Sequence, residues 1–303
     1  MNDQADKLRQ VIDNLKLRQS GYQIVAPVIP VKRSARVITV TSGKGGVGKT
    51  NITINLAIAL SGQGLRVVIL DADFGLANID VLFGIIPQYT LVDVIRERKS
   101  ILEILTDGPN NIKFISGGSG VEDLVKLKQE QVSKFVENMA LLDKMADIIL
   151  IDTGAGLSEN IMSFIMASDE VLLVATPEPT SITDAYALIK MVSNRDKTRK
   201  IKIIVNKAAN PGEADDVLKK LTLVADKFLG IHLEPAGYIL RDDSVVRSVM
   251  KQQPFLIGYP KSQAARNITD ISAELIKERS EMGALRNLGI RGFLNKLVGF
   301  MKA

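Results

Sequence analysis

The sequence has no cysteine, no tryptophan and a single histidine among its 303 residues. Without cysteine it can form neither a disulfide nor a thiolate-held metal or iron–sulfur cluster, and His232 alone cannot make a histidine-rich metal site. No apolar run approaches the ~20 residues of a membrane span, and the polar N-terminus lacks a secretory signal, so we expect a cytoplasmic protein. The net charge is only +5, but the basic excess is concentrated near the C-terminus.

A glycine-rich stretch from Ser42 to Thr50 organises the rest of the chain. It lies between a β-type run at 36–41 and an apolar-periodic helix at 51–60, an order that surrounds an anion with backbone N–H groups and a helix N-terminus. The stretch fits G-x-x-x-x-G-K-[ST], in which Lys49 contacts the β- and γ-phosphates and the Thr50 hydroxyl ligates Mg²⁺. The predicted nucleotide-binding residues of this loop are Gly43, Lys44, Gly45, Gly46, Val47, Gly48, Lys49 and Thr50.

Lys44 follows the first glycine of the loop, where a cation is not needed to hold phosphate because Lys49 already does so. The pattern K-G-G-V-G-K-T resembles the deviant Walker A loop of the MinD/ParA family of ATPases. The resemblance implies a homodimer that forms on ATP, with Lys44 reaching across it to the nucleotide of the partner. A solvated loop lysine is the alternative interpretation.

Two apolar runs, at 66–70 and 147–151, end in acidic residues. Acids at the carboxyl ends of buried strands lie at the ligand edge of an open α/β sheet. The stretch 71–80 resembles switch I of the same family, and the stretch 147–156 resembles its Walker B and switch II motifs. The resemblance implies that Asp73 positions the attacking water; a helix cap is the alternative role for Asp73. The implied metal-side residues are Thr50, Asp71 and Asp152, and the implied catalytic residues are Lys44, Lys49, Asp73 and Asp152.

The β-type run at 201–205 ends in Asn206, whose amide can hydrogen-bond a purine edge. Guanine-specific relatives have N-K-x-D, but Ala209 stands where their aspartate would be, so we expect ATP and not GTP. In the MinD/ParA family the loop after the next strand lines the base pocket. That resemblance adds Ile239, Arg241 and Asp242.

Residues 2–19 have apolar residues at helical spacing. The motif D-Q-A-x-x-L-R near the N-terminus resembles that of FlhG (YlxH/FleN), the flagellar branch of the MinD-like regulators. The resemblance implies that this arm binds the GTPase FlhF and stimulates it, and a carboxamide such as Gln4 can orient an attacking water. A helix packed on its own domain is the alternative. The implied partner-binding residues are Asp3, Gln4, Ala5, Leu8 and Arg9.

The segment 289–303 forms an amphipathic helix whose apolar arc spans ~160°. Basic residues border the arc, as they do in helices that bind an anionic membrane surface, and MinD-like proteins end in such a helix. A helix docked on the core is the alternative, and each arrangement fits a different nucleotide state. The apolar arc contains Ile290, Phe293, Leu294, Leu297, Val298, Phe300 and Met301.

We therefore expect an α/β fold with a doubly wound, mostly parallel sheet and helices on both faces. An arm (1–20) and a linker (21–34) precede one P-loop ATPase domain (35–285). The function implied is an ATP-dependent, dimerising ATPase that regulates flagellar number and placement on the inner face of the cell membrane, with flagellar C-ring proteins as further candidate partners and no specific nucleic acid. The alternatives are a MinD-type cell-division site regulator, which lacks the arm, and a ParA-type DNA partitioner, which uses basic patches in place of the tail.

Overall fold

The computed structural model describes residues 34–73, 78–118, 124, 127–281 and 289–302. The predicted arm, nearly all of the linker and the part of switch I at 74–77 lie outside these ranges. The predicted partner-binding residues therefore also lie outside the described residues: Asp3, Gln4, Ala5, Leu8 and Arg9.

The described part of the chain contains one sheet of eight strands. The strands are β1 Arg36–Ser42, β2 Val67–Ala72, β3 Thr106–Asp107, β4 Lys113–Ile115, β5 Ile148–Ala155, β6 Glu170–Ala175, β7 Ile201–Ala208 and β8 Leu233–Leu240. Their spatial order is β3-β4-β2-β5-β1-β6-β7-β8, and all neighbours run parallel except β3 and β4 at one edge. Parallel neighbours need crossover connections, which the helices supply.

Helices cover both faces of the sheet. They are α1 Lys49–Gly62, α2 Asn78–Phe83, α3 Leu91–Ile95, α4 Ile101–Ile104, α5 Gln129–Met139, α6 Leu142–Met145, α7 Glu159–Ala167, α8 Pro179–Arg195, α9 Pro211–Val224, α10 Asp243–Met250, α11 Phe255–Gly258, α12 Gln263–Glu281 and α13 Gly289–Lys302. Alternate strand residues face opposite sides: Ile38 packs with α1, α2 and α12, whereas Val37 packs with α5, α7 and α13. The predicted doubly wound α/β class is confirmed.

Several predicted helix boundaries differ from the observed ones. From the sequence we expect one helix over 128–145, but the structure interrupts it after Met139, so that α5 and α6 are separate. After the proline-containing turn that follows β6 we expect a helix from Ser181 to Ser193. It begins at Pro179 instead, because proline fits the first turn, where its missing N–H is no loss. Helix α9 likewise begins at a proline and continues into a π-helical turn at Ala225–Leu229.

The C-terminal helix α13 packs its apolar face into the core between α5 and α7. The ring of Phe293 lies 6.1 Å from that of Phe164 on α7, measured between centroids. Phe300, at the edge of the predicted apolar arc, is 46% exposed, and Met301 is half-buried. The buried members of the arc are Ile290, Phe293, Leu294, Leu297 and Val298. Across the described residues, no helix combines the length and the apolar character needed to cross a membrane.

One carboxylate fixes the start of α13. Asp143 Oδ1 accepts hydrogen bonds from the Ile290 N–H, at 3.0 Å, and from the Ala35 N–H, at 3.1 Å. Gly289 has φ +68, and a Cβ there would lie 2.5 Å from Asp143 Oδ1, so a glycine is required. The first residues of the described domain and the first turn of its last helix are therefore held by the same side chain.

Candidate nucleotide site

The phosphate loop joins β1 to α1 at the carboxyl edge of the sheet. The structure shows why three positions of the loop require glycine. A Cβ on Gly43 would lie 2.4 Å from the backbone of Asp184 on α8, and Gly48 has φ +94 with Asn206 Nδ2 2.5 Å from the position of a Cβ. Gly46 also has positive φ, at +78. The loop thus needs glycine both for close approach and for left-handed backbone, as an anion-binding turn does.

Lys49 lies buried at the first turn of α1, and its Nζ is 3.5 Å from Asp152 Oδ1. The Thr53 hydroxyl donates to the same oxygen at 3.2 Å. The second oxygen, Oδ2, is fully buried and accepts no hydrogen bond from the described residues. Burial raises the pKa of Asp152, although the positive charge of Lys49 opposes this. A buried carboxylate oxygen without a donor suits a cation or a cation-bound water.

Asp71 and Asp152 are direct neighbours in the register of β2 and β5. Burial, with the charge of Asp152, raises the pKa of Asp71 to about 7. Thr50 follows Lys49 in the first turn of α1, at the same end of the helix. These donors are hard oxygens in a region of excess negative charge, and they fit Mg²⁺. Within the described ranges no group of three histidine, cysteine, aspartate or glutamate side chains is placed to hold a metal ion by itself, but Mg²⁺ with a nucleotide needs only one or two carboxylates.

Asp73 lines a cavity of about 440 Å³ together with Lys44, Lys49 and Thr50. Its backbone N–H donates to Asp71 Oδ1 at 3.1 Å, and its carboxylate lies near Gly154 of the predicted switch II, where a Cβ would be 3.4 Å from Asp73 Oδ1. The structure therefore brings the predicted water-positioning residue, the phosphate loop and both predicted switches around one cavity.

Lys44 stands at the exposed rim of this cavity, and its Nζ donates to Glu178 Oε2 at 2.9 Å and to Thr180 Oγ1 at 2.8 Å. Glu178 belongs to the turn between β6 and α8, and Thr180 to the first turn of α8. The hydrogen bond from Lys44 lowers the pKa of Glu178. The ammonium of Lys44 is therefore held by its own subunit, in an exposed ion pair that water screens.

Asn206 clamps the phosphate loop from the end of β7. Its Nδ2 donates to the Val47 carbonyl at 2.7 Å, and its Oδ1 accepts from the Lys207 N–H at 2.9 Å. An amide nitrogen has two protons and an amide oxygen two lone pairs, so one donor and one acceptor position of Asn206 remain for a purine.

A second cavity, of about 340 Å³, extends from Gly48 and Asn206 to the start of α10. It contains the predicted base-pocket residues Ile239, which is buried, and Arg241, which is exposed. Asp242 also lines it, but its oxygens accept from the backbone N–H groups of Ser244 and Ala264, at 2.8 and 3.1 Å. Asp242 thus caps α10 and holds the loop that forms the wall of the cavity.

Sequence reasoning missed three residues at the site: Glu178, Thr180 and Lys207. The two prolines of P-E-P-T at 177–180 predict a turn and no contact with the site, although an acid that follows β6, next to β1 in the sheet, is the available signal for a partner of the loop lysine. The sequence carries no such signal for Lys207, because the contact of its side chain with the phosphate loop depends on an irregularity in the backbone of β7.

A model for the family described as "ParA: NUBPL iron-transfer P-loop NTPase" matches residues 33–276. The chain belongs to the ParA family of P-loop NTPases. As a member of this family, which contains MinD-like ATPases, it binds a nucleotide with Mg²⁺ and is an ATPase. The iron-transfer name belongs to the family description, and this sequence has no cysteine to hold a cluster.

Two relatives match most of the chain. The antiactivator FleN of Pseudomonas aeruginosa is 42% identical over 76% of this chain and 82% of its own length. The flagellum site-determining protein YlxH of Helicobacter pylori is 33% identical over 99% of this chain and 100% of its own length. Among solved structures, MinD in the MinC:MinD complex of Aquifex aeolicus superposes with a TM-score of 0.66 at 27% identity, over 80% of this chain and 96% of that one.

Proposed function

We propose that the chain is an ATP-switched, dimerising regulator of flagellar number and placement. The observation that carries the proposal is the contrast between two loop lysines: Lys49 is buried beside Asp152, whereas Lys44 is partly exposed at the cavity rim. A buried cation serves the phosphates of its own subunit, and one that reaches solvent is placed for those of a second copy. The flagellar role is supported by the likeness to YlxH over 99% of the chain.

In this mechanism the loop N–H groups and Lys49 hold the β- and γ-phosphates of ATP. Thr50 and Asp152 would hold Mg²⁺, which would supply positive charge to the phosphates. Asp73 orients the attacking water in the cavity. Lys44 leaves Glu178 and Thr180 for the nucleotide of the partner, and the loss of a screened, exposed ion pair opposes this only weakly. Loss of the γ-phosphate then removes the contact and separates the dimer.

The test is light scattering coupled to gel filtration with ATP or ADP. The wild type is expected to dimerise with ATP alone, and Lys44→Ala to remain monomeric while it still binds ATP. Lys190→Ala, an exposed lysine on α8, is the matched control and should dimerise normally. A Lys44→Ala protein that forms the ATP dimer would show that Lys44 has no role across the interface.

We also propose that α13 binds the membrane, and that it does so in a second arrangement, different from the one docked on the core. The apolar face that contacts α5 and α7 is the face with which an interfacial helix enters a bilayer, so the two arrangements exclude each other. Arg291 and Lys296 are exposed beside it and favour anionic lipid. We assign the docked helix to the monomer and the membrane-bound helix to the ATP dimer on the inner face of the cell membrane.

The arm over 1–20 is proposed to stimulate the GTPase FlhF, and it separates this function from that of a MinD-type cell-division regulator. A peptide of residues 1–20 should accelerate GTP hydrolysis by FlhF, and the Gln4→Ala peptide should not. A full-length chain that fails to capture FlhF would favour the cell-division alternative. Capture with full activity of Gln4→Ala would show that binding alone, without the carboxamide, carries the effect.

A further inference from the structure

Lys207 is placed by an irregularity in the pairing of β7 with β8. Asn206 pairs with Ile239 and Ala208 with Leu240, so that Lys207 is an extra residue on β7. Its φ is +60, in the left-handed region that residues other than glycine adopt only where their surroundings enforce it. A bulge of this kind redirects a side chain, and bulges are frequent next to active sites.

The redirected side chain reaches the phosphate loop. Lys207 Nζ donates to the Gly46 carbonyl at 2.7 Å, beside the bond of the same length from Asn206 Nδ2 to the Val47 carbonyl. Two consecutive residues of β7 therefore hold two consecutive carbonyls of the loop. Lys207 is exposed, so its ammonium gives up part of its hydration for this contact, and a charged donor makes the stronger type of hydrogen bond.

The geometry of the peptide unit determines how the hydrogen bond from Lys207 affects the loop. A trans peptide unit is planar, and its C=O and N–H point in opposite directions. When the carbonyls of Gly46 and Val47 are held toward β7, the N–H groups of Val47 and Gly48 point to the other side of the loop. We propose that Lys207 is a positioning residue which, through the Gly46 carbonyl, pre-orders the Val47 N–H for a phosphate, beside the Gly48 N–H that Asn206 orders through the Val47 carbonyl. This rests on the proposed use of the loop for ATP.

A pre-ordered loop binds the β-phosphate that ATP and ADP share, so Lys207 contributes equally to both nucleotides. Its loss is expected to weaken the binding of each about five- to tenfold, the effect of one charge-assisted hydrogen bond open to water. Turnover at saturating ATP should change by less than about twofold, because the lost interaction is the same in the ground state and the transition state.

The test uses Lys207→Met, which keeps length without charge, Lys207→Gly, which keeps the left-handed backbone, and Lys207→Arg. Dissociation constants of fluorescent ATP and ADP analogues are measured together with kcat and KM. In protein without nucleotide, the NMR signals and hydrogen exchange of the Gly46, Val47 and Gly48 amides are followed. Lys207→Met and Lys207→Gly should weaken nucleotide binding and speed amide exchange in the loop. Lys207→Arg should keep most of the affinity and most of the protection from exchange.

Lys251→Met is the charge control, since it removes an exposed cation at the end of α10 that lines neither cavity. Lys219→Met on α9 is a second control, farther along the chain from the loop, and both control variants should bind nucleotide like the wild type. Unchanged affinity and unchanged loop amides in Lys207→Met would overturn the proposal. So would a loss that Lys251→Met matches, that salt removes and that leaves the loop amides unchanged, because it would be a charge effect only. If Lys207→Met changes the loop amides but the wild type binds no nucleotide, the result would contradict the proposed function instead.

Discussion

Asp73 and Asp152 are both carboxylates at the phosphate loop, but their surroundings differ. Asp152 is fully buried against Lys49 and Thr53, whereas Asp73 faces the open cavity between the loop and the second switch. Metal ligation suits the first environment, and contact with a reacting water suits the second. The chemical roles of the two acids therefore follow from burial.

Asp73→Ala should leave ATP binding nearly unchanged and lower the rate of hydrolysis about 10²- to 10⁴-fold, the usual effect of a lost general base or water-positioning group. Phosphate release under single turnover measures the rate, and the ATP dimer should accumulate. Asp80→Ala is the control, because its carboxylate bonds Ser116 away from the cavity. A normal rate in Asp73→Ala would remove the assignment.

At this scale the sequence predicts most of the site, because the phosphate loop is local. Asp71 and Asp152 are far apart in the chain, but both end buried parallel strands, so the sequence places them at the same edge of the sheet. Their position as direct neighbours comes from the structure, because strand order is not encoded in the strand ends. The contact of Glu178 was not predictable either, since its bond to Lys44 depends on the course of a turn 134 residues away. Lys207 was missed for a similar reason, because a bulge is not encoded in residue type.

At the scale of elements, a buried ion pair joins β1, β6 and α12. Arg36 Nε donates to Glu170 Oε1 at 2.6 Å, and Arg36 Nη1 donates to the Leu275 carbonyl at 2.9 Å. Lys202 lies 3.6 Å from the same carboxylate. Burial opposes ionisation of Glu170, but the hydrogen bonds and charge of Arg36, with Lys202, outweigh it and lower its pKa.

Glu170→Gln should lower the free energy of unfolding by roughly 3 kcal/mol at pH 7, because it leaves the buried Arg36 without its anion and leaves Lys202 only the partly exposed Glu234. The folded pKa lies below the unfolded value of about 4.3, so the difference between wild type and variant should persist above pH ~5 and shrink as pH falls through the folded pKa. Urea titration at several pH values measures it. Glu159→Gln, whose pair with Arg195 is exposed, should cost about 1 kcal/mol or less. A pH-independent loss in Glu170→Gln would contradict the assignment.

Element boundaries show what periodicity does and does not predict. Apolar spacing continues through 128–145, but α5 ends at Met139 and α6 begins at Leu142, since the chain must turn to place β5 in the sheet. The spacing in α13 predicts one apolar face correctly and does not say what covers it. Protein core and lipid accept the same side chains, so only the tertiary structure shows the docked arrangement.

At the scale of the whole molecule, α13 connects the ends of the domain to the nucleotide site. Asp143 holds the first turn of α13 together with Ala35. Phe293 packs on Phe164 of α7, the helix that follows β5 and the predicted switch II. A shift of α7 when the switch contacts a γ-phosphate would therefore disturb the packing of the tail, which is the physical link required between ATP and release.

The position of Phe300 gives the sharpest test of that link. Phe293 is 1% exposed, so Phe293→Glu would damage the docked helix as well as any membrane contact, whereas Phe300 is 46% exposed and belongs to the predicted lipid face. A single interfacial helix binds weakly after the ordering entropy is subtracted, and two in one dimer bind firmly.

The wild type should sediment with phosphatidylglycerol vesicles in ATP and only a little in ADP. In ATP it should sediment less with neutral vesicles than with these anionic ones. Phe300→Glu should lose this binding about tenfold or more, with normal stability and dimerisation, since burying a phenylalanine contributes about 1.5–3 kcal/mol. Phe228 is 67% exposed, on the π-helical turn after α9, so the Phe228→Glu variant should bind like wild type. Equal sedimentation of Phe300→Glu and Phe228→Glu, or equal wild-type binding under ATP and ADP, would leave α13 as a permanent part of the core.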